Sequence, residues 1–275
     1  SNVFIAVCAA CATLQSYHQF RQPLQIDALV TLNFSATLFA YLFIRKAALA
    51  LLKETKLSPR QLWLARKRGG GVFLLGISLL GTLVAFFFVP MKVQLALILP
   101  GIISIAYGLP FLKSGKKKIR LRDFGIIKIF LIAFVWAYVT VLLPALSFEN
   151  LPPVKTMVLL FAARFCFILA LTLPFDIRDI KFDAEFNVKT IPSVIGVRAT
   201  LALVAILMGL FLVLEWMFLN TFSSSISANI IAPMISAVVT SIAIGIAYRK
   251  QSDFYFLGLL DAMIDLQMVI YLLIL

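Results

Sequence analysis

The sequence is poor in charged residues. Only 13% of its 275 residues are Asp, Glu, Lys or Arg, whereas 62% are hydrophobic and the mean hydropathy is +1.03. About a quarter of the residues of a soluble globular domain are charged, so this chain has too few polar residues to cover a water-facing surface. The composition argues against a soluble enzyme, a disordered chain and a secreted disulfide scaffold. It predicts an all-α, polytopic membrane protein.

Cysteine and histidine are also scarce, with three cysteines and one histidine, His18. Cys8 and Cys11 have the spacing of a redox or metal pair, but no histidine or second cysteine pair joins them in the sequence. We interpret these two and Cys166 as helix-packing thiols, since a buried cysteine behaves as a small hydrophobic residue. A single histidine gives little support to a histidine-rich metal site or a Ser/His/Asp triad. No basic segment precedes the apolar run 3–14, which we interpret as the first spanning helix rather than a signal peptide.

The apolar residues fall into long runs separated by charged or Pro/Gly-bearing breaks. A membrane-spanning helix needs about 20 residues, and nine runs are long enough. No internal repeat is visible and no soluble segment is long enough to fold alone, so we predict one domain over residues 1–275, with Gly69–Gly71 as a linker. The predicted spans are 2–18, 24–44, 72–89, 93–111, 124–146, 154–175, 197–219, 226–248 and 254–274.

The excess of positive charge lies on one side of these spans. The formal net charge is +13, and the loops after spans 2, 4, 6 and 8 carry 20 Lys and Arg against three in the other loops. Basic loops are typical of the cytoplasmic side. We therefore predict a cytoplasmic N-terminus in a multi-pass protein of a bacterial inner membrane, and we interpret the charge as a sign of topology rather than of nucleic-acid binding.

Acidic residues are few, and they cluster. Four of the 12 lie within ten positions, namely Asp176, Asp179, Asp183 and Glu185. On a helix the three aspartates share an arc of about 60° at the cytoplasmic end of span 6. Like charges this close repel unless a cation lies between them, and carboxylate oxygens on one face suit Mg²⁺. The alternative is a solvated segment neutralised by Arg178 and Lys181.

This acidic segment resembles a known motif. Asp176-Ile-Arg-Asp179-Ile-Lys-Phe-Asp183, followed by Thr190-Ile-Pro192 and Gly196, resembles the second aspartate-rich motif of the UbiA-type intramembrane prenyltransferases. Tyr107-Gly-Leu-Pro110, followed by Lys113, resembles the tyrosine–proline element after helix 4 of that superfamily. The resemblance implies a UbiA-like bundle with a cavity for a prenyl diphosphate. It also implies Mg²⁺ bound by the three aspartates and transfer of the prenyl group to a lipid-soluble acceptor at the cytoplasmic side.

The first aspartate-rich motif of that superfamily is absent. No aspartate lies between Asp27 and Asp123, and the corresponding stretch contains Asn33 and then Arg45 and Lys46. Three explanations remain open: one Mg²⁺ site with basic residues replacing the second metal, a phospholipid-like or non-diphosphate substrate, or a fold that has lost catalysis. The alternatives to a prenyltransferase are accordingly a terpene cyclase on the same fold and a non-catalytic lipid-binding or scaffold protein.

Ionisable residues within the spans should face the protein interior or a partner. Lys128 and Arg164 are such residues, and Asp261 and Asp265 in span 9 are their expected partners. The four form either a buried charge network or part of a cavity wall. In a transporter the Asp261/Asp265 pair would be the coupling site, although the absence of a repeat argues against one. The candidate substrate contacts are Lys113, Lys128, Arg45, Tyr107 and Arg164.

Overall fold

Helices account for nearly all the structure of the chain. The computed structural model describes residues 2–51, 68–110, 112–114, 117–185, 188–221, 230–248, 252 and 255–274. The α-helices in these residues are α1 (Asn2–Gln19), α2 (Ala28–Leu51), α3 (Arg68–Phe88), α4 (Met91–Ala96), α5 (Ile98–Gly108), α6 (Gly125–Ala137), α7 (Leu143–Ser147), α8 (Val154–Glu185), α9 (Ile191–Ile195), α10 (Val197–Leu219), α11 (Ile231–Ala247) and α12 (Ala262–Ile274).

Three short elements interrupt the helices. π-Helical turns at Tyr138–Leu142 and Tyr255–Leu260 precede α7 and α12, and a 3₁₀ turn at Leu121–Asp123 precedes α6. The strands β1 (Leu112–Ser114) and β2 (Lys117–Ile119) form an antiparallel hairpin in which Leu112 pairs with Ile119. The fold is therefore helical as predicted, except for one small hairpin that the helical hydrophobicity patterns gave no reason to expect.

Seven helices of the described residues are long and apolar enough to cross a membrane, which confirms an integral, multi-pass membrane protein. They are Ala28–Ala47, Gly70–Phe88, Met91–Gly108, Gly125–Ser147, Val154–Glu185, Val197–Leu219 and Tyr255–Ile274. The first and eighth predicted spans correspond to α1 and to the 17-residue helix α11. The total of nine spans and the side of the N-terminus remain predictions.

Two predicted boundaries are wrong. Gly70 and Gly71 are part of α3 rather than a linker, because helical backbone satisfies its own hydrogen bonds where water is scarce. The helix α8 continues past residue 175 to Glu185 with Pro174 inside it. The acidic segment consequently forms the last turns of α8, so the helical arrangement assumed for the three aspartates holds although the span ends later than predicted.

The spanning helices pack in a ring. Each helix of the ring contacts the next, and the last contacts the first. The order is α1, α2, α5, α6, α8, α10, α11 and α12. The helix α3 packs on the outside of α2. The largest buried cluster lies where α8 meets α10, α12 and α1, and the rings of Phe167 and Phe211 are 5.2 Å apart there. The ring of helices surrounds a central space, and the acidic segment of α8 lies at one end of it, called the aspartate end below.

Candidate active site

A half-buried lysine lies between two of the three motif aspartates. Lys128 Nζ is 2.8 Å from Asp176 Oδ1 and 3.4 Å from Asp183 Oδ2. Asp176 is 3% exposed and Asp183 9%. The two aspartates are seven residues apart, two helical turns, so both face α6. The cation that the sequence required between these carboxylates is therefore supplied in part by the protein itself, and the alternative of a solvated acidic segment is wrong for this pair.

The third motif aspartate has a different environment. The Asp179 side chain is 40% exposed, and Arg178 Nε donates to its Oδ1 at 2.7 Å. The Arg178 guanidinium also lies over the Phe256 ring, 4.8 Å from its centroid. In the described residues no group of three or more His, Cys, Asp or Glu side chains is arranged to hold a metal ion. The three aspartates share a helix face, but their carboxylates do not converge.

The donor atoms at Asp176 nevertheless fit Mg²⁺. Asp176 Oδ2 is buried and has no hydrogen-bond partner among the described residues, so it carries a charge-bearing lone pair that the protein leaves unused. Mg²⁺ prefers carboxylate oxygens and uses one or two of them together with phosphate oxygens. Asp176 and the neighbouring Asp183 form a donor set of this kind.

A close backbone approach places Lys128. Gly125 begins α6, one turn before Lys128, and a Cβ at this position would overlap the carbonyl oxygen of Lys189. The segment that follows the acidic motif thus packs directly on the start of α6. Sequence reasoning missed Gly125, and the only signal for it was a glycine at a predicted helix start.

The second half of the motif forms a tight connection to α10. The Thr190 N–H donates to Ser193 Oγ at 2.9 Å, and the short helix α9 follows with Pro192 in its first turn. Gly196 then has a φ of +83°, a conformation that favours glycine because it has no Cβ. Thr190, Pro192 and Gly196 are therefore explained by the turn that they build, and their part in the site is to hold the end of α8 against α6.

Tyr107, from the tyrosine–proline element, lies near the group formed by Lys128 and Asp176. Its hydroxyl interacts electrostatically with Lys128 and Asp176, and also with Arg120 and Arg122. Both arginines belong to the basic loop after the fourth predicted span, which was interpreted only as a sign of topology. Arg120 is fixed by Asp123, with Nη2 3.0 Å from Asp123 Oδ1.

The central space extends from Tyr107 towards Tyr41. The Tyr41 side chain is 39% exposed, although its hydroxyl has electrostatic neighbours on four other helices. These neighbours are Asp261, Trp136, Tyr107 and Cys8. The Tyr41 hydroxyl therefore lies on the inner side of the ring. The central space between Lys128, the two tyrosines and Asp261 is called the cavity below.

Arg164 lies in a separate buried cluster. It is 2% exposed, and its Nη2 donates to Gln19 Oε1 at 3.1 Å. Gln19 Nε2 in turn donates to Glu215 at 3.1 Å and 3.2 Å. The predicted pairing of Arg164 or Lys128 with Asp261 or Asp265 is wrong, because Glu215 on α10 neutralises Arg164 and the motif aspartates take Lys128. Glu215, an isolated acid near the end of an apolar span, was not among the predicted partners.

The structure shows the surroundings of Arg45 and Asn33 but not those of Lys113. Arg45 Nη1 lies 3.5 Å from Asn2 Oδ1, one helical turn beyond Tyr41 and on the same face of α2. The Lys113 side chain lies outside the described residues. Asn33 is a structural residue, since it is 3% exposed and its Nδ2 donates to Thr13 Oγ1 and to the Val139 carbonyl, each at 2.8 Å.

The fold is similar to those of solved UbiA homologues and of one further solved protein. A UbiA homologue from Aeropyrum pernix K1 superposes with a TM-score of 0.61 at 16% identity, covering 99% of this chain and 94% of the other. A UbiA homologue from Archaeoglobus fulgidus bound to GPP and Mg²⁺ superposes with a TM-score of 0.60 at 13% sequence identity. The match covers 99% of this chain and 98% of the other. A structure of digeranylgeranylglyceryl phosphate synthase superposes with a TM-score of 0.60 at 15% sequence identity, and the match covers 99% of this chain and 91% of the other.

Sequence comparison agrees with the fold. No curated protein sequence matches the chain, but the model of the UbiA prenyltransferase family matches residues 45–257. This match covers most of the ring and includes the acidic segment, Lys128 and the tyrosine–proline element. The chain is thus a member of the UbiA prenyltransferase family.

Proposed function

We propose that this protein transfers the prenyl group of a prenyl diphosphate to a lipid-soluble acceptor in an Mg²⁺-dependent reaction at the aspartate end of the bundle, which we expect to face the cytoplasm. The observation that carries the proposal is the buried group of Lys128, Asp176 and Asp183 in a chain of this family. Structures of the Archaeoglobus fulgidus homologue with GPP and Mg²⁺ and with DMAPP and Mg²⁺ support the choice of substrate and metal.

The charges at this end of the cavity suit a diphosphate leaving group. Bound Mg²⁺, held by Asp176 and Asp183, would neutralise the diphosphate. Lys128 supplies a fixed positive charge, and Arg120 and Arg122 lie on the other side of Tyr107. Preorganised cations aimed at the charge that develops as a bond breaks are usually the largest single contribution to catalysis. The leaving diphosphate is therefore stabilised by groups that are in place before it forms.

The walls of the cavity suit the prenyl group. Tyr41, Tyr107 and Trp136 lie between Lys128 and the start of α12. Aromatic faces attract cations, and a cavity with few water molecules protects an allylic cation from hydrolysis. The prenyl chain accordingly extends from the aspartate end into the centre of the ring, where the acceptor meets it.

One metal site is consistent with the missing first motif. The position expected for its aspartates is on α2, where Tyr41 faces the cavity and Arg45 follows one turn later. A guanidinium can hold a phosphate by two parallel hydrogen bonds. Arg45 and Lys46 would thus supply the charge of a second metal ion, while Asp179 is held by Arg178 and Asp176 and Asp183 would hold the single metal.

The test measures binding and diphosphate release. Purified protein is incubated with Mg²⁺ and dimethylallyl, geranyl, farnesyl or geranylgeranyl diphosphate, with Asp176→Asn as the variant. The exposed acid Glu149 provides the control Glu149→Gln. We expect diphosphate release by the wild type and the control, and a fall by a factor on the order of 100 or more in Asp176→Asn. A wild-type protein that binds none of the four diphosphates would show that the family fold serves another purpose here.

A further inference from the structure

Two carboxylates lie across the cavity from Lys128, near the same end of the bundle, and the diphosphate site does not use them. Asp261 immediately precedes α12, and Asp265 follows four residues later in the first turn of that helix. Asp261 directly follows the π-helical turn Tyr255–Leu260. Such turns are rare and are often found at functional sites. Here the turn fixes the direction in which the first residues of α12 present their side chains.

Asp265 is held in place by α1. The Cys8 thiol lies 3.3 Å from Asp265 Oδ2 and 3.5 Å from the backbone oxygen of Asp261, and Cys8 is fully buried. The Cys11 thiol also interacts with Asp265. The two cysteines are therefore neutral donors that orient a carboxylate, and Asp265 places a second negative charge next to Asp261.

Asp261 faces the cavity instead. It is partly exposed, and the Tyr41 hydroxyl is among its electrostatic neighbours. Its neighbours with a charged side chain are Asp265 and Arg178, and Arg178 is already paired with Asp179. Among the described residues no ion pair to Asp261 within 4 Å is present, so its carboxylate remains able to accept a hydrogen bond from a bound molecule.

The two acidic elements are fixed to each other. The rings of Phe175, next to Asp176, and Phe256, in the π-helical turn, pack edge to face with centroids 5.4 Å apart. The Arg178 guanidinium lies against both rings, 4.8 Å from the Phe256 centroid and 5.5 Å from the Phe175 centroid. This contact sets the separation between the diphosphate end and Asp261, as an enzyme requires when two substrates must meet in one orientation.

We infer that Asp261 accepts the proton of the acceptor substrate, and that this substrate is neutral or cationic with a nucleophilic O–H or N–H group. The inference rests on the proposed prenyl transfer. Two carboxylates on the wall repel an acceptor that carries a carboxylate or a phosphate, whereas they attract a hydroxyl or an ammonium group. Asp265, held by Cys8, is a positioning residue that keeps negative charge beside Asp261.

The bond between the allylic carbon and the diphosphate oxygen breaks, and its electron pair leaves with the diphosphate. A lone pair of the acceptor oxygen or nitrogen forms the new bond to that carbon, and the acceptor proton moves to an Asp261 carboxylate oxygen. Product release then returns the proton to water.

The experiment measures binding and cleavage of the prenyl diphosphate separately from alkylation of the acceptor. Wild type, Asp261→Asn and Glu149→Gln are compared for three properties: binding of a non-reactive thiolo analogue of geranyl diphosphate with Mg²⁺, diphosphate release without acceptor, and alkylation of a matched acceptor set. The acceptors are one lipid-soluble aromatic scaffold carrying a hydroxyl, an amine, a carboxylate or a phosphate. Unfolding temperatures in detergent show which variants are folded.

We expect Asp261→Asn to bind the analogue and to release diphosphate within about twofold of the wild type. Its alkylation of the hydroxyl acceptor should fall by about 10²–10⁴, the usual contribution of a general base, with partial recovery in Asp261→Glu. The wild type should alkylate the hydroxyl or amine acceptor faster than the carboxylate and phosphate forms. A variant Asp265→Asn should lose part of this discrimination and keep analogue binding.

Two results would overturn the inference while leaving the proposed function standing: unchanged alkylation in Asp261→Asn, or a preference of the wild type for the carboxylate or phosphate acceptor. If the wild type neither binds the analogue nor releases diphosphate, the proposed function fails first and this inference fails with it. A folded Asp261→Asn that has lost analogue binding would also overturn it, by placing Asp261 in the donor site.

Discussion

Lys128 on α6 and Asp176 on α8 form a buried ion pair, with Nζ 2.8 Å from Oδ1. The pair lies at the point where a chain of this family would meet the diphosphate of its substrate. It satisfies one oxygen of Asp176 and leaves the other without a partner. A single lysine thus neutralises one carboxylate oxygen of Asp176 and leaves the other free for the metal that we propose.

Removal of Lys128 should destabilise the protein. Lys128→Met leaves Asp176 and Asp183 facing each other without a cation, and breaking one side of a buried pair costs about 3–5 kcal/mol. The double variant Lys128→Met/Asp176→Asn should lose less than the sum of the two single variants, since it removes both partners. Thermal unfolding in detergent measures all three, and strictly additive losses would contradict the pairing.

Gly125 should tolerate no side chain. In Gly125→Ala the new Cβ meets the Lys189 carbonyl, and overpacking of this kind costs about 1–3 kcal/mol. Because the clash moves α6 relative to α8, binding of prenyl diphosphate should weaken as well. The matched control is Gly101→Ala in α5, where a Cβ meets nothing within 4 Å. This control should be neutral or slightly stabilising, because alanine favours helix by about 1 kcal/mol. Equal effects at the two positions would refute the close approach.

Arg164 should matter for stability and not for substrate. Arg164→Met leaves Glu215 buried without its cation, at a cost of about 3–5 kcal/mol. The fraction that stays folded should bind prenyl diphosphate as the wild type does. Lys155→Met, a change of an exposed base in the same helix, is the control and should alter neither property. Loss of binding by folded Arg164→Met would instead place Arg164 in the substrate site.

Asn33 should not act as part of a metal site. Its Nδ2 donates to Thr13 and to the Val139 carbonyl at the first π-helical turn. Asn33→Leu leaves a buried carbonyl without a donor, which costs about 1–3 kcal/mol. Asn33→Asp should cost more, because a carboxylate oxygen would then face that carbonyl. Unfolding temperatures with and without Mg²⁺ provide the measurement, and an Mg²⁺-dependent gain in Asn33→Asp would contradict the structural role.

The sequence by itself determined the class of the protein. Too few charges to cover a soluble surface and apolar runs of spanning length predicted a multi-pass helical bundle, which the structure confirms. The local sequence was also sufficient to predict how the residues of the acidic segment are arranged. The spacing of Asp176 and Asp183 follows from the helical repeat, and Thr190, Pro192 and Gly196 encode a turn through their own backbone preferences.

Only the tertiary structure decided which charges meet. Lys128 and Asp183 are 55 positions apart, Arg164 and Gln19 145, and Cys8 and Asp265 257; no local pattern records such distances. With few acids and few buried bases, the sequence allows several ion pairings of similar plausibility. The pairing predicted for Asp261 and Asp265, with Lys128 or Arg164, was wrong. The packing of α6 on α8 and of α1 on α12 resolves that choice, because each buried charge must find its partner among the helices that actually adjoin it.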